Sequence, residues 1–169
     1  VYVRRKALPK DQMAMLHAYL DAGKPLIGLR TASHAFSTKK PSPPGMEQWE
    51  TFDGDVLGGN YHGHGPNKAG TDVSVAPGAA DHPILQDVSR DAWHSTGSLY
   101  YASPIDPSAK VLLNGSAKDK GQERVEPIAW ARTYKGGRVF YTSLGHVDDF
   151  QQPQFQRLLV NAVRWATGR

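Results

Sequence analysis

Lys10-Asp11-Gln12-Met13-Ala14-Met15-Leu16-His17-Ala18-Tyr19-Leu20-Asp21-Ala22-Gly23, followed at once by Pro25-Leu26-Ile27-Gly28-Leu29, is the stretch from which the fold is read. Met13, Leu16 and Leu20, with Ala14 and His17, recur at three- and four-residue spacing. Pro9 suits a first helical turn and Gly23 the residue just past the last, so the segment predicts a helix. The run from Pro25 to Leu29 is short and apolar, as in a strand buried on both faces of a parallel sheet. Ahead of the helix, Val1-Tyr2-Val3 is a β-rich run that stops at Arg4, Arg5 and Lys6. Strand, helix and strand make a βαβ unit with parallel strands, and open α/β sheets place ligands beyond the carboxyl ends of such strands. That end is Arg30-Thr31-Ala32-Ser33-His34-Ala35-Phe36.

Downstream the pattern changes. Lys39-Lys40-Pro41-Ser42-Pro43-Pro44-Gly45 reads as a proline loop, Met46 to Phe52 as a short helix, and Gly58-Gly59-Asn60-Tyr61-His62-Gly63-His64-Gly65-Pro66 as irregular. A loop this long inside a compact domain is functional or disordered, and its aromatics and histidines argue for order. Thr71 to Ala76 alternates like a half-buried strand, and Gly97 to Tyr101 and Lys110 to Leu113 supply two more candidates. Pro127 to Tyr134 and Arg138 to Leu144, around Lys135-Gly136-Gly137, predict a β-hairpin near the C-terminus. Phe155, Leu158, Leu159, Ala162, Val163 and Ala166 form the apolar stripe of a closing helix that stops near Gly168. With no internal repeat and no boundary, residues 1–169 read as one α/β domain.

The 169 residues include 20 Lys and Arg against 16 Asp and Glu, a formal charge of +4, and no Cys. The missing cysteine excludes disulfides, thiolate metal sites and a cysteine nucleophile. No apolar run approaches the ~18 residues of a membrane span, so a membrane partner is not expected. Positive charges are scattered and interleaved with acids, which argues against nucleic acid. No nucleotide cofactor is expected either.

Four histidines sit beside glycine or small residues in loops: His34, His62, His64 and His146. If the last strand lies parallel to the Leu26 strand, His146 shares a rim with Arg30 and His34, and the Gly58 to Gly65 loop can fold over both. Imidazoles gathered there suit a divalent metal or acid–base work near neutral pH. His34, His64 and His146 are the candidate ligands, for zinc, manganese or nickel, and surface or capping roles stand beside that reading. Arg30, directly after a buried strand, must pair with Asp148, Asp149 or Asp53 or else receive an anionic or polar substrate. Asp148 and Asp149 cap the following helix, or one of them orients His146. Trp49, Tyr61, Trp93, Tyr100 and Tyr101 offer a sugar-stacking platform or simply core. No Gly-x-Ser-x-Gly elbow accompanies Ser33-His34, so a serine hydrolase is discounted.

Three segments together carry a family resemblance. They are Gly28-Leu29-Arg30-Thr31-Ala32-Ser33-His34-Ala35-Phe36, Asp55-Val56-Leu57-Gly58-Gly59-Asn60-Tyr61-His62-Gly63-His64 and Gly137-Arg138-Val139-Phe140-Tyr141-Thr142-Ser143-Leu144-Gly145-His146. With the helix ending Trp165-Ala166-Thr167-Gly168, they resemble the ThuA-like (trehalose utilisation) family over nearly the whole chain. The resemblance implies a flavodoxin-like, class I glutamine amidotransferase-like fold, a mostly parallel sheet with helices on both faces, in which Arg30 stands where amidotransferases carry their cysteine. His146 would take the place of their histidine, and Asp148 or Asp149 that of its acidic partner. Glutamine hydrolysis through a thioester is chemically closed to a chain without Cys. The resemblance further implies carbohydrate metabolism, with cleavage of glycosides or 3-keto-disaccharides by a base and a metal or cationic enolate stabiliser. Arg30, His34, His146 and Asp149 are the expected catalytic residues, and Trp49, Tyr61 and His62 the expected substrate contacts. Family members begin with further strand and helix before the segment matched by Val1 to Arg5, so the chain resembles one lacking its amino-terminal part, which leaves the compartment open.

The expected partner is thus a small-molecule carbohydrate, with homo-oligomerisation left open. A metal-assisted enzyme, a non-catalytic sugar-binding or regulatory domain on the same fold, and an interaction module are the three functions that the residues allow.

Overall fold

The computed structural model describes residues 1–169. In chain order the elements are β1 (Leu8–Pro9), α1 (Lys10–Asp21), β2 (Leu26–Leu29), β3 (Met46–Glu47), β4 (Gly63–His64), β5 (Thr71–Val75), β6 (Trp93–Ser95), β7 (Tyr100–Tyr101), β8 (Lys110–Asp119), β9 (Gln122–Tyr134), β10 (Gly137–Thr142) and α2 (Pro153–Thr167). Six strands form one sheet in the order β2-β10-β9-β8-β5-β6, and two short pairs, β1-β3 and β4-β7, stand apart from it. No helix is long and apolar enough to cross a membrane.

The sheet corrects the expectation of mostly parallel strands. Only β2 and β10 run parallel, in the register Val139↔Leu26 to Thr142↔Leu29, while β9, β8, β5 and β6 join antiparallel. For β8–β9 and β9–β10 a two-residue connection dictates this, because a link that short cannot carry a parallel crossover. Lys120-Gly121 and Lys135-Gly136 both hold positive φ at each residue (50° and 81°, 47° and 84°), the turn whose twist matches antiparallel strands. The expected first strand, Val1 to Val3, is represented by backbone bonds beside β2: Val1 N donates to Ile27 O and Leu29 N to Val1 O. The expected helix from Met46 to Phe52 is absent. Met46 and Glu47 instead pair with Pro9 and Leu8, and a single wide helical turn follows at Asp53–Leu57.

Alternation along β10 divides the core. Phe140 packs in one cluster with Leu112, Leu113, Ile128 and the α2 residues Phe155, Leu158 and Ala162. Val139 and Tyr141 belong to a second cluster with Trp130, Leu57 and the α1 residues Met13 and Leu20. Burying a large aliphatic or aromatic side chain contributes about 1.5–3 kcal/mol, so these clusters fix the carboxyl ends of β2 and β10, where the site lies.

Candidate functional site

β2 ends at Leu29, and Arg30 turns the chain with φ +43°, a left-handed conformation uncommon for a side-chain-bearing residue. The turn is over-determined by its neighbours. Tyr141 Oη donates to Arg30 O at 2.9 Å, Ser33 Oγ approaches the same carbonyl at 3.3 Å, and Gly28 lacks the Cβ that would press on Leu57 and Tyr141. Held backbone strain of this kind concentrates at functional sites. The Arg30 side chain donates from Nη1 to Ser143 O at 3.2 Å, and its guanidinium carbon lies 4.9 Å from the centre of the Tyr100 ring. It crosses Gly97, where a Cβ would stand 2.7 Å from Nη1. Arg30 forms no ion pair with Asp53, Asp148 or Asp149.

Arg30 opens on a cleft of about 1140 Å³ in which only 2 of the 22 lining residues are hydrophobic. That lining suits a highly polar ligand rather than an apolar one. His34, Tyr61, His62 and His64 line the same cleft. The His34 ring stacks on Tyr61 at 4.5 Å, and its Nδ1 lies 3.1 Å from Ser33 Oγ. Burial first, then the charges of Arg5, Arg4, His64 and Arg30, push the His34 imidazole down to about 4, so it is neutral at pH 7.

Asp53 lines the cleft as well. Its Oδ2 accepts from Tyr61 N at 2.7 Å, while Oδ1 is shielded from solvent and has no partner. Oδ1 lies beside Gly59, in space that a methyl on residue 59 would take at 2.6 Å. Burial pushes this carboxyl up to about 6, although the Tyr61 N–H favours the ionised form.

The remaining expected site residues divide. His146 lies beside Gly97, as Arg30 does: a Cβ on Gly97 would be 3.0 Å from His146 Cβ as well as near Arg30. Its Nδ1 meets Thr96 Oγ1 at 2.9 Å and Asp148 Oδ2 at 3.4 Å, and Thr96 Oγ1 donates to Asp148 Oδ2 at 2.8 Å. Asp148, not Asp149, therefore orients the imidazole. Asp149 is buried, and its Oδ2 accepts from the N–H groups of Gly145 and His146 at 2.8 and 2.9 Å, so it anchors the loop that carries His146. Trp49 sits in the core, stacked on His17 at 3.9 Å and donating from Nε1 to Asp55 Oδ2. It does not line the cleft.

His34 and His64 share the cleft, but His146 is not among its lining residues, and no three or more His, Asp or Glu gather closely enough to hold a metal ion. These side chains, as placed, do not fit a three-ligand metal site.

The family model for trehalose utilisation, ThuA, matches residues 2–166. The chain belongs to the ThuA family. A ThuA-like protein from Parabacteroides merdae has 20% identity to it and a TM-score of 0.66, over 98% of this chain and 68% of that one. A cytoplasmic protein from Salmonella typhimurium has 14% identity and a TM-score of 0.61, over 91% of this chain and 59% of that one. Identities this low establish a shared fold, and this ThuA chain spans about three fifths of the Salmonella protein's length. No curated protein matches the sequence.

In this ThuA chain the site includes residues that sequence reasoning did not single out for it. Asp53 had weighed only as an ion-pair partner for Arg30, and nothing in Phe52-Asp53-Gly54-Asp55 marks which acid is buried. Arg4 and Arg5 carried a signal, since they follow the β-rich run Val1-Tyr2-Val3 at its carboxyl end. Counted among scattered charges, they were not placed at the site, yet both line the cleft.

Proposed function

We propose that the cleft binds a small carbohydrate and cleaves a 3-keto-glycoside such as a 3-keto-disaccharide by proton abstraction, with Arg30 stabilising the negative charge that develops. The observation that carries this reading is the meeting, in one polar cleft, of unpaired Arg30, neutral His34 and an Asp53 carboxyl poised near neutrality. A base works best when its pKa lies near the working pH, and Asp53 meets that condition. Ionised Asp53 takes the proton from the carbon beside the ketone, and the electron pair moves onto the ketone oxygen. Arg30 and a neutral His34 hydrogen bond stabilise that oxygen, a pairing of carboxylate base with neutral imidazole known to serve enolisation. Collapse of the enolate breaks the bond to the glycosidic oxygen, which leaves with a proton from solvent, and water adds to the resulting double bond. The frame is proposed to be a variant of the flavodoxin-like sheet, supported by the parallel β2–β10 pair that ends on Arg30.

The test is incubation with a disaccharide and its 3-keto derivative, following released reducing sugar. Consumption of the keto compound, lost in Asp53→Asn, is the expected result. An Asp53→Asn protein as active as the parent overturns the assignment, and binding of both sugars without turnover of either leaves a sugar-binding domain.

A further inference from the structure

Arg4 and Arg5 line the cleft together with Arg30, and none of the three has a carboxylate partner. Arg5 donates only to a neutral acceptor, Ser37 O, at 3.2 Å, and Arg30 only to Ser143 O. Three guanidinium groups facing one space repel each other unless an anion sits among them. Three acids, Glu50, Asp53 and Asp55, line the same cleft, but none forms an ion pair with these arginines; Asp55 Oδ2 is taken by Trp49 Nε1 and Thr51 Oγ1, and Asp53 Oδ2 by Tyr61 N. Lys39 adds a fourth positive group to the lining.

The charges of these arginines reach two side chains of the cleft. Arg5, Arg4 and Arg30 all depress the basicity of His34, and the same three arginines favour ionisation of the Tyr61 hydroxyl against its burial. His34 and Tyr61 stack on each other, so both report the potential at one place. Carboxylates and amides suffice to bind the hydroxyls of a neutral sugar, and Glu50, Asp53, Asp55, Asn60 and Asn67 supply them here; the three unpaired guanidinium groups come in addition to that need.

We infer that the ligand of this cleft is an anionic carbohydrate, bearing a phosphate or carboxylate group that Arg4 and Arg5 receive while the sugar ring extends toward Arg30 and His34. Guanidinium groups bind either oxyanion through paired N–H donors. The inference rests on the carbohydrate reading and names the substrate class of the same site.

The test compares affinities, by calorimetry, for a neutral disaccharide, its 6-phosphate, the corresponding uronic acid and inorganic phosphate. Two variants accompany the parent: Arg4→Gln/Arg5→Gln, and Arg4→Lys/Arg5→Lys, which keeps the charge. The expected result is binding of the phosphorylated or carboxylated sugar at least about tenfold tighter than the neutral one. That preference weakens with salt, disappears in the glutamine variant and survives in part in the lysine variant. Phosphate and carboxylate arms then identify which anion is read. Should the double variant unfold, Arg4→Gln alone suffices, because Arg4 is exposed. Equal affinity for neutral and charged sugars overturns the inference and leaves the carbohydrate reading standing. Binding of inorganic phosphate with no sugar of any charge overturns both.

Discussion

Asp53→Asn should raise stability above pH 6 while removing turnover. Burial lifts the Asp53 carboxyl from 3.8 to about 6, a shift of roughly 2 units that corresponds to about 3 kcal/mol at 1.36 kcal/mol per unit. Because the folded-state pKa is raised, the folded protein holds this proton more tightly than the unfolded chain. The contribution is therefore fully present below about pH 4, is lost as pH rises through about 6, and stands as a constant penalty above that. Asparagine carries no charge, keeps an oxygen for the Tyr61 N–H and sheds the penalty. Its amide nitrogen takes the position of the unpartnered Oδ1, which costs about 1–2 kcal/mol, so the net gain at pH 8 is about 1–2 kcal/mol, or roughly 2–8 °C in Tm for a domain of this size. Urea denaturation of parent and variant at pH 8 and pH 4 measures it. A gain at pH 8 that vanishes at pH 4 is expected. The same gain at both pH values, or destabilisation at pH 8, would show that Asp53 is not a desolvated carboxyl.

Other consequences follow from single contacts. Gly97→Ala places a methyl 2.7 Å from Arg30 Nη1 and 3.0 Å from His146 Cβ; ligand affinity should fall about tenfold with little loss of folding cooperativity, as calorimetry and thermal melts would reveal. Asp149→Ala leaves the Gly145 and His146 N–H groups without their acceptor, so it should cost about 1–3 kcal/mol in denaturant titration, whereas Asp149→Asn, which retains one acceptor oxygen, should cost less. The His34 imidazole should titrate near 4 by proton NMR. Its folded-state pKa is depressed, so the stability it contributes is present above about pH 6.5 and is lost as pH falls through 4; a midpoint near 6.5 would contradict its burial among arginines.

Periodic, apolar segments were legible in the sequence. The helix read from Lys10 to Gly23 is α1, Lys10–Asp21, and the run read from Pro25 to Leu29 holds β2, Leu26–Leu29. The β9–β10 hairpin was legible too, but the antiparallel extension through β8, β5 and β6 was not, because β8 and β9 carry their apolar residues only where they cross the core. Their outer ends, through Lys118-Asp119-Lys120-Gly121-Gln122-Glu123, are polar and set in solvent, so β8 showed only its first four residues as a strand. In the site, Arg30 was legible because a charge after a buried strand needs an explanation. The separation of His146 from His34 and His64 was not, since three histidines in glycine-rich loops carry no distance information. Asp149 shows the same limit: a cap and a catalytic acid look alike until the N–H groups it accepts are seen.

Arg30, His34, His64 and Tyr61 line one cleft, and histidine NMR during addition of a charged disaccharide tests directly whether they share a ligand. His34 and His64 line the cleft, while His17 is stacked on Trp49, His82 caps the turn at Pro83–Leu85, and His94 pairs with Asp72. The account predicts saturable shifts of the His34 and His64 signals with His17, His82 and His94 unmoved. Saturable binding that leaves His34 and His64 in place would contradict it.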